Sequence, residues 1–102
     1  MKVCRVIGEV VLSHSIFPDQ SRGRLCLVSP LGKDDLLNPS ETRISSQSSL
    51  VTYDHLGVHT GDLVGVVEGG EATRPFSHPM PIDAYCACIL DHIRYQQPDQ
   101  LQ

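Results

Sequence analysis

A small antiparallel β-barrel, all-β with at most a minor α element, is the fold class this sequence predicts. Three observations lead there. Apolar runs rich in Val, Ile, Thr and Tyr recur at short intervals, as pleated strands require. Glycine- and proline-bearing turns separate them. The chain is 102 residues long, a length that suits one domain with a modest core.

The central stretch is residues 50–74, LVTYDHLGVHTGDLVGVVEGGEATR. It alternates strand and glycine turn twice, which is scaffold and not a catalytic signature. The other elements follow in order. Residues 2–12 form the first strand, with Cys4, Val6, Gly8, Val10 and Leu12 expected on the core face. Gly8 in mid-strand predicts a bend or bulge. Residues 13–23 are a loop, with His14 expected as a surface or packing histidine. Residues 24–29 form the second strand, closed by Pro30 and followed by a turn through residues 31–35. Residues 36–49 read as an exposed serine-rich loop with a short strand near Thr42 and Ile44. Ser40-x-x-Arg43 lacks the acidic or amide partner of a capping box, so no helix is expected there. Residues 50–54 and 63–68 are the third and fourth strands. The three prolines of residues 75–81 make an extended connection. Residues 82–90, IDAYCACIL, are the fifth strand. The barrel domain is expected over residues 1–95, with residues 96–102 a polar, disordered tail.

The formal net charge is −4, which argues against nucleic acid or an anionic membrane as partner. The N-terminus has no signal-peptide pattern and no apolar run approaches a membrane span, so a cytosolic protein with reduced thiols is expected. Of the four cysteines, Cys4 and Cys26 lie singly in apolar runs. Cys86 and Cys88 form C-x-C, which on a regular strand shares one face and is not the C-x-x-C of a redox or zinc site. All four are expected to be buried free thiols. His55 and His59 are spaced as on a metal-binding helix, but Gly57 and Gly61 break any helix there. No catalytic residue, cofactor or metal site is predicted.

A solitary barrel alternates apolar-in with polar-out. The fifth strand does not and the first does so only in part, and the surplus apolar face holds Ile7, Val11, Tyr85, Ala87 and Ile89, or their opposites if the other face is the inner one. Such a patch usually meets another protein, so these five are the candidate subunit interface.

Five segments stand in order over most of residues 1–93: KVCRVIGEVV at the start, RLCLVSPL at 24–31, VTYD followed by Gly57, Gly61 and Asp62, the strand LVGVV followed by GEATR at 70–74, and PIDA at 81–84 followed by ILD at 89–91. Through these segments the chain resembles the vertex proteins of bacterial microcompartments, the carboxysome and ethanolamine-compartment pentamer type. Glu71 and Ala72 stand where the family has paired serines. The resemblance implies a five-stranded OB-like barrel, a homopentamer, and a structural role capping the vertices of a polyhedral shell otherwise built from hexameric shell proteins. It also implies a cytoplasmic location, in the shell, and no enzymatic activity. In such a ring one glycine turn per subunit would line the axis, and Gly57, Gly61, Gly69, Gly70 and Glu71 are the candidates. Two other functions compete. An OB-fold module binding nucleic acid or another ligand would favour aromatic platforms and a basic groove, yet the chain has no Trp and only two Phe. An acid–base or metal enzyme would use Asp54, His55, His59, Asp62 and Asp83, although such residues at strand ends more often bond the local backbone.

Overall fold

A computed structural model describes residues 1–12, 23–37, 47–69 and 82–94. His14, the expected strand near Thr42, the proline-rich connection, Gly70, Glu71 and the C-terminal tail lie outside the described residues. The strands are β1 (Lys2–Val10), β2 (Arg24–Pro30), β3 (Leu50–Asp54), β4 (Leu63–Glu68) and β5 (Ala84–Leu90). Each boundary falls within two residues of the expected one. They close into a barrel in the order β1-β2-β3-β5-β4.

The wholly antiparallel expectation is corrected at one seam. Four neighbouring pairs are antiparallel. The remaining pair, β3 with β5, is parallel and meets at Tyr53 opposite Tyr85. The reason is topological: an odd number of strands in a closed ring cannot alternate direction all the way round.

Two bulges change the reading of the faces. Residues opposite each other on paired strands share a face, and an extra residue on one strand reverses its alternation. In β1, Val6 stands opposite Val28 and Gly8 opposite Leu27, so Ile7 is the extra residue. Before the bulge, Cys4 and Val6 face the core. After it, Glu9 is opposite the buried Cys26, while Gly8 and Val10 share the outer face with Leu27 and Leu25. The expected inner set of Cys4, Val6, Gly8, Val10 and Leu12 is therefore split. In β5, Cys86 is opposite Val66 and Cys88 opposite Gly65, leaving Ala87 as the extra residue. Cys86 packs inside, whereas Cys88 lies outside and half-buried, with its Sγ 3.9 Å from Met1 Sδ. The C-x-C pair does not share a face, and Cys88 departs from the expectation of four buried thiols.

The core is made of small residues, as the narrow bore of a five-stranded barrel demands. It contains Cys4, Val6, Cys26, Val28, Val58, Val64, Val66, Ala84 and Cys86, with Leu50 packed against it. Burial pushes the Cys4 thiol up to about 11 and the Cys86 thiol up to about 12, so both behave as small apolar groups.

Where a turn was expected after β2, the chain forms one short helix, α1 (Lys33–Leu37). Asp35 Oδ2 accepts the Gly32 N–H at 2.8 Å, and the Leu36 N–H donates to the Gly32 carbonyl at 3.1 Å. This is the carboxylate half of a capping box, with Asp34 and Asp35 favourably placed in the first turn. The signal lay at Gly32-x-x-Asp35, inside the expected turn, while Ser40 lies outside the described residues.

Candidate assembly surface

Asp54 ends β3 and organises the loop of residues 55–62. Its side chain is 1% exposed. Oδ1 accepts the Leu56 N–H at 2.9 Å, and Oδ2 accepts the Gly57 and Val58 N–H groups at 3.1 and 2.9 Å. Arg24 Nε adds a fourth contact at 3.3 Å. Burial is the largest single influence on the Asp54 carboxyl and opposes its ionisation. The amides of Leu56 and Val58, the Arg24 guanidinium and the Gly57 amide together outweigh it, and hold the group below the usual carboxylate range. Arg24 also approaches Glu9, Nη1 to Oε2 at 3.9 Å, a looser and more exposed contact.

The far end of the loop is tied to β1. The Val6 N–H donates to the Asp62 carbonyl at 2.9 Å, and the Gly61 N–H donates to the Val6 carbonyl at 2.8 Å. Arg5 Nη1 donates to the Gly61 carbonyl at 3.0 Å. Asp62 Oδ2 accepts the His59 N–H at 2.8 Å. Gly57 and Gly61 have φ of +84° and +98°, where a side chain would be strained. Between these anchors Val58 is drawn into the barrel and is fully buried. The loop is thus a lid on one end of the barrel, folded by its own aspartates.

This arrangement places the residues that the sequence suggested for chemistry. Asp54 and Asp62 both accept backbone N–H groups. His55 lies edge-on to Tyr53, with ring centroids 6.1 Å apart. Asp83 is exposed beside the start of β5, and its carbonyl accepts the Gly69 N–H at 2.8 Å. Among the described residues no three His, Cys, Asp or Glu side chains converge as a metal site. A shallow cleft beside the loop is lined by Glu9, Arg24, Cys26, Val58, His59 and Thr60. Its two charged side chains are the pair already described.

The candidate interface residues are distributed along the two bulged strands. Ile7 is the half-buried bulge residue of β1, and Val11, just past the strand, is 83% exposed. Tyr85 is half-buried opposite Val67, Ala87 is the exposed bulge residue, and Ile89 is 48% exposed opposite Val64, so the bulge puts Tyr85 and Ile89 on different faces of β5 and splits the single stripe expected. Since β4 lies between β1 and β5, the two groups belong to different sectors of the barrel. The axial candidates also separate. Gly57 and Gly61 precede β4 while Gly69, φ +85°, follows it, placing the turns about 20 Å apart along an extended strand. Val58 and Arg24 were missed in the sequence. An apolar residue between two loop glycines was the available sign of the first, and nothing marked the second.

Residues 1–91 match the family model described as ethanolamine utilisation protein EutN/carboxysome. Among solved structures, the chain is similar to GrpN, a pentameric microcompartment shell protein from Rhodospirillum rubrum. The identity is 28% over 94% of this chain and 100% of that one, with a TM-score of 0.71. The ethanolamine utilisation protein EutN from Escherichia coli is 21% identical over 93% of this chain and 89% of its own, with a TM-score of 0.72. CcmL from Gloeobacter violaceus is 22% identical over 93% of this chain and 90% of its own, with a TM-score of 0.71. The last two show the shared barrel fold. No curated protein sequence gives a significant match. With its family model spanning nearly the whole chain and its barrel shared with these structures, the protein belongs to the EutN/carboxysome family.

Proposed function

We propose that this protein is a structural shell component that assembles as a homopentamer and caps the vertices of a polyhedral bacterial microcompartment in the cytoplasm. The observation that carries this reading is the match of residues 1–91 to the EutN/carboxysome family, supported by the 28% identity to a pentameric shell protein of the same barrel fold. Geometry gives the role its logic. A flat hexagonal sheet cannot close on itself without five-fold units, so pentamers among hexameric shell proteins produce curvature. The role is mechanical in this reading, and the aspartates that the sequence offered for acid–base chemistry instead brace the loop of residues 55–62.

In the ring, Ile7 and Val11 of one sector and Tyr85, Ala87 and Ile89 of another supply the two unlike patches that a head-to-tail contact needs. A glycine turn from each subunit surrounds the axis, either Gly57 to Gly61 or Gly69, Gly70 and Glu71. The second choice would gather five carboxylates, which repel unless cations or protons intervene. The native mass of the purified protein tests the reading. Five copies of the 11.2 kDa chain give about 56 kDa. A stable monomer that hexameric shell proteins do not recruit into closed shells would overturn it.

A further inference from the structure

Among the described residues, β5 is paired along one edge throughout but along the other only at its start. β4 takes the first edge from Ala84 to Leu90. On the second edge β3 meets β5 at Tyr53 and Tyr85, and β3 then ends at Asp54. Beyond that point the chain turns into the loop of residues 55–62, which Val58 draws into the barrel and which Gly61 and Asp62 tie to β1. Among the described residues, no strand and no backbone hydrogen bond from that loop reaches the second edge of residues 87–90.

An open edge presents unpaired N–H and C=O groups, and soluble monomers protect such edges with charge, lysine, proline or a bulge. This one has the bulge at Ala87 but no charge, lysine or proline along residues 86–90. Its sequence over residues 86–90 is CACIL, with Ala87 exposed and Ile89 48% exposed. An apolar edge that no described residue covers suits main-chain pairing with an added strand. We propose that residues 87–90 of β5 receive an extended segment from a second copy of this chain, so that subunits join by backbone hydrogen bonds as well as by apolar contact. The inference rests on the ring reading above, and two observations favour a second copy as occupant. The barrel-sharing protein at 28% identity is itself a pentamer. A head-to-tail ring also needs a second, unlike patch on each subunit, and Val11 and Leu12, 83% and 46% exposed where the chain leaves β1, provide one.

The test is hydrogen exchange of the full-length protein, read on peptides covering residues 84–92, at the concentration where native mass is measured and again after dilution to monomer. The Ile89→Lys variant is run beside it, a change at a position that is 48% exposed, with far-UV circular dichroism checking that it folds. In the expected result the wild type is a ring and the amides of residues 87–90 exchange at least about tenfold more slowly in it than in the monomer. Ile89→Lys then runs as a folded monomer with unchanged far-UV circular dichroism. A wild-type ring in which these amides exchange freely overturns the inference and leaves the ring reading standing. Equal protection in ring and monomer also overturns it, by assigning the edge to another part of the same chain. A wild type that is monomeric at every concentration removes the ring reading, and the inference with it.

Discussion

The Val58 amide donates to Asp54 Oδ2 at 2.9 Å, and the side chain of that same Val58 is fully buried in the barrel. One carboxylate at the end of β3 therefore folds the following loop and aims its apolar residue into the core. Capping and core packing are a single device here, and removing either half should disturb the other.

Replacing Asp54 tests the first half. Asp54→Asn keeps the shape but loses the charge and one acceptor oxygen, while the buried Val58 amide and Arg24 still require partners. Hydrogen bonds to a charged group contribute about 1.5–3 kcal/mol, so Asp54→Asn should lower unfolding stability by about 2–3 kcal/mol in urea titration. A loss below the scatter of the method would show that solvent replaces the carboxylate without cost.

The same residue sets an acid limit. The folded state holds Asp54 below the usual carboxylate range, so its contribution to stability is fully present above the unfolded value of about 3.9 and disappears as pH falls through the folded value. The stability gap between wild type and Asp54→Asn should therefore be constant near neutrality and shrink on acidification below about pH 4. Urea midpoints of both proteins across that range would reveal it. A gap that stayed constant into strong acid would contradict the assignment.

Val58→Ala tests the second half. Removing buried methyl groups costs about 0.8 kcal/mol each plus a cavity contribution, so a loss of about 2 kcal/mol is expected in the same titration. The equivalent change at the exposed Val11 should leave the stability of the folded subunit within about 0.5 kcal/mol. Similar values for the two would show that the loop is not part of the core.

The three core thiols, Cys4, Cys26 and Cys86, should be silent in the folded protein. Cys4 and Cys86 titrate at about 11 and about 12 because they are buried, and Cys26 is pushed up for the same reason. The thiolate is the reactive form, so iodoacetamide at neutral pH should leave these three unmodified until denaturant is added. Mass spectrometry of tryptic peptides would report each site. Rapid labelling of Cys86 in the native protein would place β5 differently from the register described here.

The strands and most of their ends were legible in the sequence because β-branched runs and glycine turns are local properties. Gly8 announced a bulge in β1, and the bulge lies beside it. The bulge at Ala87 had no such marker. Alanine suits a regular strand as well as an irregular one, and the break appears only when Cys86 and Cys88 are set against Val66 and Gly65. That is why the C-x-C pair read as sharing a face and why β5 read as two clean stripes. The helix α1 was missed for a milder reason: its capping carboxylate, Asp35, closes on a glycine and not on the serine or threonine usually sought.

By itself, then, the sequence determined which of the described segments are strands and that the core is small, because these follow from residue type and spacing; the family resemblance came from motifs matched in order along the chain. The tertiary structure decided how the ring of strands closes, which side of each bulged strand faces inward, and what Asp54 does. Each of these depends on contacts between residues far apart in the chain: the parallel meeting of Tyr53 with Tyr85, the registers at Ile7 and Ala87, and the approach of Arg24 to a carboxylate 30 positions away. Local propensity carries no information about such distant pairings, because their energy exists only once the barrel has closed.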